Sequence, residues 1–246
     1  MSFEKTKYII IILLSFVLFV TSSAQMKFRM DNSRNENSWF IGINAGVTSY
    51  YGTLGIFNYD PILKIKEESK FAFGLTAGKS LNRYLSARAY FIMGGFKAQN
   101  NERGIRYDAK LTNYGGQFLI NFSSIFGDTD YIPIFSLYGI VGGGFANTKP
   151  ILYSIEEEGE GIPIDSLNYT TSVSTLEFNI GLGASYEIFN QIDVLVELDY
   201  HFGMSDELDL TAEGGKDNFM YLKAGFRYRF GFAGTKGSSA FGRRRR

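Results

Sequence analysis

The sequence has no cysteine and few prolines, four in 246 residues, and it carries no excess charge of either sign. The absence of cysteine excludes disulfide bonds and thiolate metal sites. Lysine plus arginine and aspartate plus glutamate number 25 each, so nothing in the composition favours nucleic acid binding. No uninterrupted apolar run reaches the roughly 20 residues that a membrane-spanning helix needs. The composition is therefore not that of a helical membrane protein.

The amino terminus has the pattern of a secretory signal peptide. Lys5 and Lys7 precede an apolar run from Tyr8 to Val20, and small residues follow as far as Ala24. This order of charged, apolar and small segments predicts cleavage after Ala24. An uncleaved anchor is the alternative, but the run is too short to span a membrane. Residues 1–24 are interpreted as the signal peptide and 25–37 as a polar periplasmic lead.

Glycine and aromatic residues are abundant, with 28 Gly, 16 Tyr and 23 Phe. The stretch Asn218–Phe232 shows how they are arranged, because apolar residues there alternate with a second, polar set that includes three cations. Strict period two is the signature of a strand whose two faces differ. The apolar set is Met220, Leu222, Ala224, Phe226, Tyr228 and Phe230.

The same alternation recurs eight times, and the connections alternate between long and short. The predicted strands cover residues 38–49, 70–80, 84–98, 110–125, 132–147, 173–189, 192–204 and 218–232. Even strand number with alternating long loops and short turns is typical of outer-membrane barrels. We therefore predict an all-β protein, an eight-stranded antiparallel up-and-down transmembrane β-barrel over residues 38–232.

A soluble eight-stranded barrel is the competing architecture, with its apolar residues inside around a ligand. The polar face of the predicted strands is rich in Gly, Ser, Thr and Asn, with isolated charges of both signs. Such a face suits a narrow packed lumen better than a solvated exterior, which favours the membrane barrel.

Several charged residues fall on the polar face and would point into the lumen. Because buried charges are costly unless paired, we interpret them as ion pairs, with Glu197 and Asp199 facing Arg227 and Arg229. The alternative is a proton path or a catalytic carboxylate pair with His201 as the base, but no spacing identifies serine and acid partners, so no catalytic residue is predicted. The predicted lumen network is Arg88, Glu177, Glu187, Glu197, Asp199, His201, Lys223, Arg227 and Arg229.

Two further charged segments lie outside the predicted strands. The acidic run Glu156–Glu160 lacks the spacing of a calcium loop, so a solvated loop is favoured over a metal site, and no metal or cofactor is predicted. Residues 233–246 are rich in Gly and Ser and predict a disordered periplasmic tail. The tail ends in Arg243, Arg244, Arg245 and Arg246, either a contact for an acidic partner or a solvated end.

Three stretches resemble known outer-membrane barrels. They are WFIGINAGVTSYYGTLG at 39–55, FAFGLTAGKSLNRYLSARAYFIMGGFKAQN at 71–100, and KLTNYGGQFLINFSSIFGDTDYIPIFSLYGIVGGGF at 110–145. The chain resembles the small OmpA/OmpX type barrels. More narrowly, it is similar to a Bacteroidota family that includes the PorG component of the type IX secretion system. The tail after the closing strand departs from that pattern, and no peptidoglycan-binding domain is expected.

The resemblance implies a non-enzymatic envelope component tied to secretion or gliding. It would be integral to the outer membrane, with its termini in the periplasm and with lipid and protein partners. A passive porin-like or adhesion barrel is the alternative, and an enzyme is the most remote of the three. No nucleic acid partner and no small-molecule substrate are expected.

Overall fold

The computed structural model describes residues 37–51, 61–100, 105–126, 134–154, 162–163, 172–189, 191–204 and 218–230. The predicted signal peptide, most of the predicted periplasmic lead, the acidic run at 156–160 and the basic tail lie outside these residues.

The described chain consists of antiparallel strands with two short helices between them. The helices are α1 (Pro61–Glu67) and α2 (Phe122–Phe126). The strands are β1 (Trp39–Tyr51), β2 (Ser69–Ser80), β3 (Leu85–Asn100), β4 (Ile105–Asn121), β5 (Phe135–Ser154), β6 (Ile162–Pro163), β7 (Val173–Phe189), β8 (Ile192–Gly203) and β9 (Asn218–Phe230).

Eight of these strands close into a barrel, each pairing antiparallel with the next along the chain. Closure comes from β1, which pairs with β9 as well as with β2. The two-residue β6 pairs only with the end of β5, and β7 takes the next barrel position beside β5. The predicted eight-stranded up-and-down barrel is confirmed. None of the described helices is long and apolar enough to cross a membrane.

Strand ends agree with the sequence prediction best where apolar alternation is strongest. The range 173–189 is β7 itself, whereas β4 begins at Ile105, inside a segment predicted as a polar loop. There β4 pairs with β5 as far as Ser154. Backbone hydrogen bonds between strands do not require apolar alternation, so the extended part of β4 has no recognisable strand pattern in the sequence. Helix α2 begins within the residues predicted as the end of the fourth strand.

Helix α1 was also absent from the sequence prediction, which gave residues 50–69 as a loop. It begins at Pro61, a residue favoured in the first helical turn because its fixed φ suits the helix. Lys64 is buried, with its Nζ 2.7 Å from Glu68 Oε2 and 4.7 Å from the centre of the Tyr51 ring. Burial lowers the pKa of Lys64. These contacts attach α1 to the barrel at the end of β1.

The barrel has two unlike ends. At the short-turn end lie the start of β1, the end of β9 and the connections β2–β3 and β7–β8. The β2–β3 turn is held by Asn82, whose side-chain oxygen accepts hydrogen bonds from the backbone N–H of Tyr84 (2.8 Å) and Leu85 (2.9 Å). The long-loop end carries the connections after β1, β5 and β8. The β3–β4 connection at this end has only four residues (101–104), and the β4–β5 connection at the short-turn end has thirteen (122–134), so the predicted lengths of these two connections were wrong. The other connections follow the pattern of outer-membrane barrels.

Apolar side chains cover the outside of the barrel and polar ones fill the inside. Ile43, Leu182 and Phe226 keep 61%, 64% and 54% of their surfaces exposed. Inward-pointing polar side chains such as Asn44 and Glu197 are buried. A soluble barrel would show the reverse arrangement, so the outer surface is that of a protein solvated by lipid.

The lumen is narrow enough that glycine is required on its inner face. A Cβ at Gly46 would lie 2.0 Å from the carbonyl oxygen of Leu222 and 2.7 Å from the Cα of Lys223. Gly116, on the outer face, has nothing nearer than 4.0 Å. Both glycines lie within strands and differ in the space available to a Cβ atom, so they form a matched pair for substitution by alanine.

We expect Gly46→Ala to destabilise the barrel by about 1–3 kcal/mol, because the backbone of β9 must move away from β1. Reversible urea unfolding in detergent or lipid vesicles would measure the change. Gly116→Ala is the control and should cost less than Gly46→Ala. Equal costs at the two positions would contradict this account of the packed lumen.

Candidate functional site

The centre of the lumen is occupied by an ion pair that crosses from β3 to β8. Arg88 Nη1 and Nη2 donate hydrogen bonds to Glu197 Oε1 and Oε2 at 2.7 and 2.8 Å. The two side chains are 2% and 1% exposed. This bidentate pairing holds the guanidinium and the carboxylate in one geometry. Tyr138 donates a third hydrogen bond to Glu197, at 2.7 Å.

Lys223 of β9 joins this pair to a second carboxylate. Its Nζ lies 3.0 Å from Glu197 Oε2 and 2.6 Å from Asp199 Oδ2. With Arg88 included, two cations face two carboxylates, so the central cluster is neutral. Neutrality matters because an unpaired charge in so buried a place would cost several kcal/mol.

Glutamine and asparagine extend the central cluster around the lumen wall. Gln117 accepts a hydrogen bond from Arg88 Nε at 2.8 Å and donates one to Asn179 at 2.8 Å. These contacts connect β3, β4 and β7 across the interior. The polar groups therefore form one network that spans the barrel.

His201 lies on the long-loop side of the central cluster. Its Nδ1 is 2.5 Å from Glu177 Oε2, and Tyr90 donates a hydrogen bond to the other oxygen of that carboxylate. The imidazole stacks on Phe219 with ring centres 4.2 Å apart. Phe96 packs in turn on Phe219, at 5.2 Å. An aromatic layer thus covers the histidine towards the long-loop end.

A second charged cluster lies at the short-turn end. Asp193 is its centre: Arg227 Nε lies 2.7 Å from Oδ2, and Arg229 Nη2 lies 2.7 Å from Oδ1. The same Arg229 nitrogen is 2.9 Å from Glu187 Oε2. Two cations again face two carboxylates. A cavity of about 60 Å³, large enough for a few water molecules, adjoins this cluster.

An apolar layer separates the two charged clusters. Phe40, Leu119, Tyr138 and Ile140 are buried against one another inside the barrel. On one side, Arg227 of the Asp193 cluster lies over the rings of Phe40 (5.5 Å) and Tyr138 (6.0 Å). On the other side, the Tyr138 hydroxyl binds Glu197. Layers of charged and apolar side chains therefore alternate along the lumen and fill it.

Each of the nine predicted lumen residues lies on the inner side of the barrel, but the predicted partners of the arginines were wrong. Arg227 and Arg229 pair with Asp193 and Glu187, and not with Glu197 and Asp199. The β8–β9 register explains the difference, since it sets Asp193 opposite Arg227 and Glu197 opposite Lys223. Asp193 lies on the predicted inner face, and the register across the long loop was the missing information.

The polar uncharged members of the network were not predicted as site residues. Gln117, Asn179, Tyr90 and Tyr138 each contact a charged group in the lumen. Residues of these types are common on the inner faces of many strands, so the alternating pattern alone does not distinguish these four. The predicted contact residues Arg243 to Arg246 lie outside the described residues.

Within the described part of the chain, the contacts of the His201 imidazole are with Glu177, Tyr90 and Phe219, and none is with a serine or threonine hydroxyl. The ring nitrogen that has a partner is bound to Glu177, and the ring face is covered by Phe219. Among the described residues, no group of three or more His, Asp or Glu side chains could hold a metal ion. The geometry is that of a packed interior.

Fold and lumen together define a transmembrane β-barrel with an apolar outer surface and an interior filled by paired charges. Residues 12–230 match the family model described as outer membrane protein beta-barrel domain. The chain belongs to this family, and it is an integral outer-membrane protein.

The chain also matches solved structures at low sequence identity. Neisserial surface protein A is 16% identical over 78% of this chain and 97% of its own, with a TM-score of 0.45. Ail of Yersinia pestis is 15% identical, with 78% and 99% covered and a TM-score of 0.42. OprG of Pseudomonas aeruginosa is 14% identical, with 81% and 99% covered and a TM-score of 0.42. No match was found among curated proteins.

Proposed function

We propose that the protein is a non-enzymatic structural or interaction component of an outer-membrane complex. The observation that carries this proposal is the Arg88–Glu197–Lys223 cluster, whose side chains are almost fully buried and connect opposite walls of the lumen. Eight-stranded barrels are only wide enough for their side chains to fill. With the interior occupied by ion pairs, the surfaces left for function are the lipid face and the two ends.

The kind of complex is inferred from the resemblance to the Bacteroidota barrels that include PorG. That resemblance supports a role in type IX secretion or gliding. Its motifs lie in the strands and turns that build the barrel, so the proposed partners are periplasmic or outer-membrane proteins that contact the barrel ends.

We infer that both termini and the short turns lie in the periplasm and that the long loops face outward. Outer-membrane barrels share this arrangement of short periplasmic turns and longer outer loops. In this orientation the acidic run at 156–160 is outside, and the four arginines at 243–246 are inside the periplasm. The basic tail is then the proposed electrostatic contact for an acidic periplasmic partner.

Deleting residues 237–246 is expected to leave barrel assembly intact, because the closing strand β9 ends at Phe230. Co-purification of periplasmic partners from native membranes should decrease. The remaining attraction in the full chain should weaken as salt rises, since exposed charges are screened over about 8 Å at physiological ionic strength. Undiminished, salt-independent recovery of the same partners would exclude the tail as the contact.

The orientation is tested separately, by proteolysis of intact cells. External protease should cut in the acidic loop at 156–160 and spare a tag fused after Arg246. Lysed cells provide the control, in which the tag must become cleavable. Cleavage of the tag without lysis would reverse the orientation and remove the argument for a periplasmic contact.

A further inference from the structure

Two lysines lie directly opposite each other on the outer face of the β4–β5 pair. Lys110 and Lys149 are register partners, and both side chains are exposed. Neither forms an ion pair within the described part of the chain. Like charges directly opposite each other destabilise a strand pair, so the barrel keeps an unfavourable contact at this position.

The lysine pair lies immediately beyond the apolar outer band, on the long-loop side. Tyr114 and Phe145 lie four residues from the lysines on the same strands, towards the short-turn end. Both rings are exposed, and their centres are 6.0 Å apart. Between the rings and the lysines lies the polar pair Thr112 and Asn147. On strands that tilt by about 45°, four residues of about 3.4 Å place the lysines on the order of 10 Å farther along the barrel axis than the rings. The lysines therefore lie past the apolar band, on the side where lipid headgroups are found.

A further cation adds to the positive charge nearby, and the neighbouring carboxylate already has a partner. Lys97 occupies the outer face of β3, and its register partner is Asp108. Asp108 is bound by Lys70. The described outer surface at this edge of β3, β4 and β5 therefore has an excess of positive charge.

We propose that Lys110 and Lys149 bind the phosphate of an anionic lipid in the leaflet at the long-loop end. A phosphate between the two ammonium groups turns a repulsive pair into two attractive contacts. Lysine binds phosphate as a point charge and does not require the planar geometry of arginine. Thr112 and Asn147 supply uncharged polar groups beneath the phosphate, and Tyr114 and Phe145 pack against the acyl chains. This inference is independent of the proposed partner complex.

The test is native mass spectrometry of the full-length protein in detergent, titrated with diphosphoryl lipid A or with phosphatidylcholine. The wild-type protein should retain lipid A in preference to phosphatidylcholine. The double variant Lys110→Gln/Lys149→Gln should bind lipid A at least about tenfold more weakly, since each lysine near an anionic surface contributes to the binding free energy. Each variant is first shown to be folded by the heat-dependent gel mobility of closed barrels.

Lys79→Gln is the matched control. Lys79 is on the outer face of β2 at the short-turn end, with its Nζ 5.3 Å from the centre of the Trp39 ring. Its replacement should leave lipid A binding unchanged. An equal loss from Lys79→Gln would overturn the proposal, because the attraction would then be non-specific. Displacement of lipid A by millimolar inorganic pyrophosphate would overturn it in favour of a site for free anions.

Discussion

Replacing Glu197 by glutamine should destabilise the barrel by about 3–5 kcal/mol, the cost of leaving a buried charge without its partner. Glu197 binds Arg88 through two hydrogen bonds and also contacts Lys223. Without its charge, two cations face only Asp199, and the central cluster has a net charge of +1. Urea unfolding of the folded barrel in lipid vesicles would measure the loss.

The double variant Arg88→Met/Glu197→Gln separates the charge effect from the loss of packing. It removes one cation with the carboxylate, so Lys223 and Asp199 are left as a neutral pair. The double variant is therefore expected to be more stable than Glu197→Gln alone. With the single variant Arg88→Met measured as well, the double-mutant cycle gives the coupling energy between the two side chains. A double variant less stable than the single one would contradict the neutral-cluster account.

Placing arginine at Leu198 should destabilise the inserted barrel by about 2–4 kcal/mol, because a cation near the bilayer midplane is costly. Leu198 lies mid-strand on the outer face of β8 and is 42% exposed. Its register partners are Leu182 on β7 and Leu222 on β9, so the cation would enter a purely apolar part of the outer surface. The measurement is the free energy of unfolding in lipid vesicles.

Met204→Arg is the control for depth on the same strand. Met204 follows the last residue of β8 and is 62% exposed. At the edge of the membrane an arginine costs about 0–1 kcal/mol. If arginine at Met204 costs as much as arginine at Leu198, the assignment of the outer face to lipid is wrong.

The barrel could be predicted from the sequence because period two fixes which side chains share a face. Phe226 and Arg227 are neighbours in the chain, yet one lies outside and the other inside. Any pairing of the strands that keeps apolar residues outside places the same charges in the lumen. Strand number, order and facing therefore followed from the alternation of apolar and polar residues.

Register and local helices could not be predicted in this way. Shifting β8 against β9 by two residues keeps every side chain on its face and changes each partner, which is why Arg227 was paired with the wrong carboxylate. The stacking of His201 on Phe219 depends on the same register. Helix α1 is short, and its seven residues show no apolar period long enough to recognise.

Conductance is the most direct test of whether ion pairs close the lumen. Purified wild-type protein is to be inserted into planar lipid bilayers at neutral pH, and the current recorded under an applied voltage. No steady conductance of porin size is expected, because the Arg88–Glu197 pair and the layer around Phe40 and Tyr138 occupy the described part of the lumen. A large, reproducible open channel from the wild-type protein would contradict the claim and favour a passive porin.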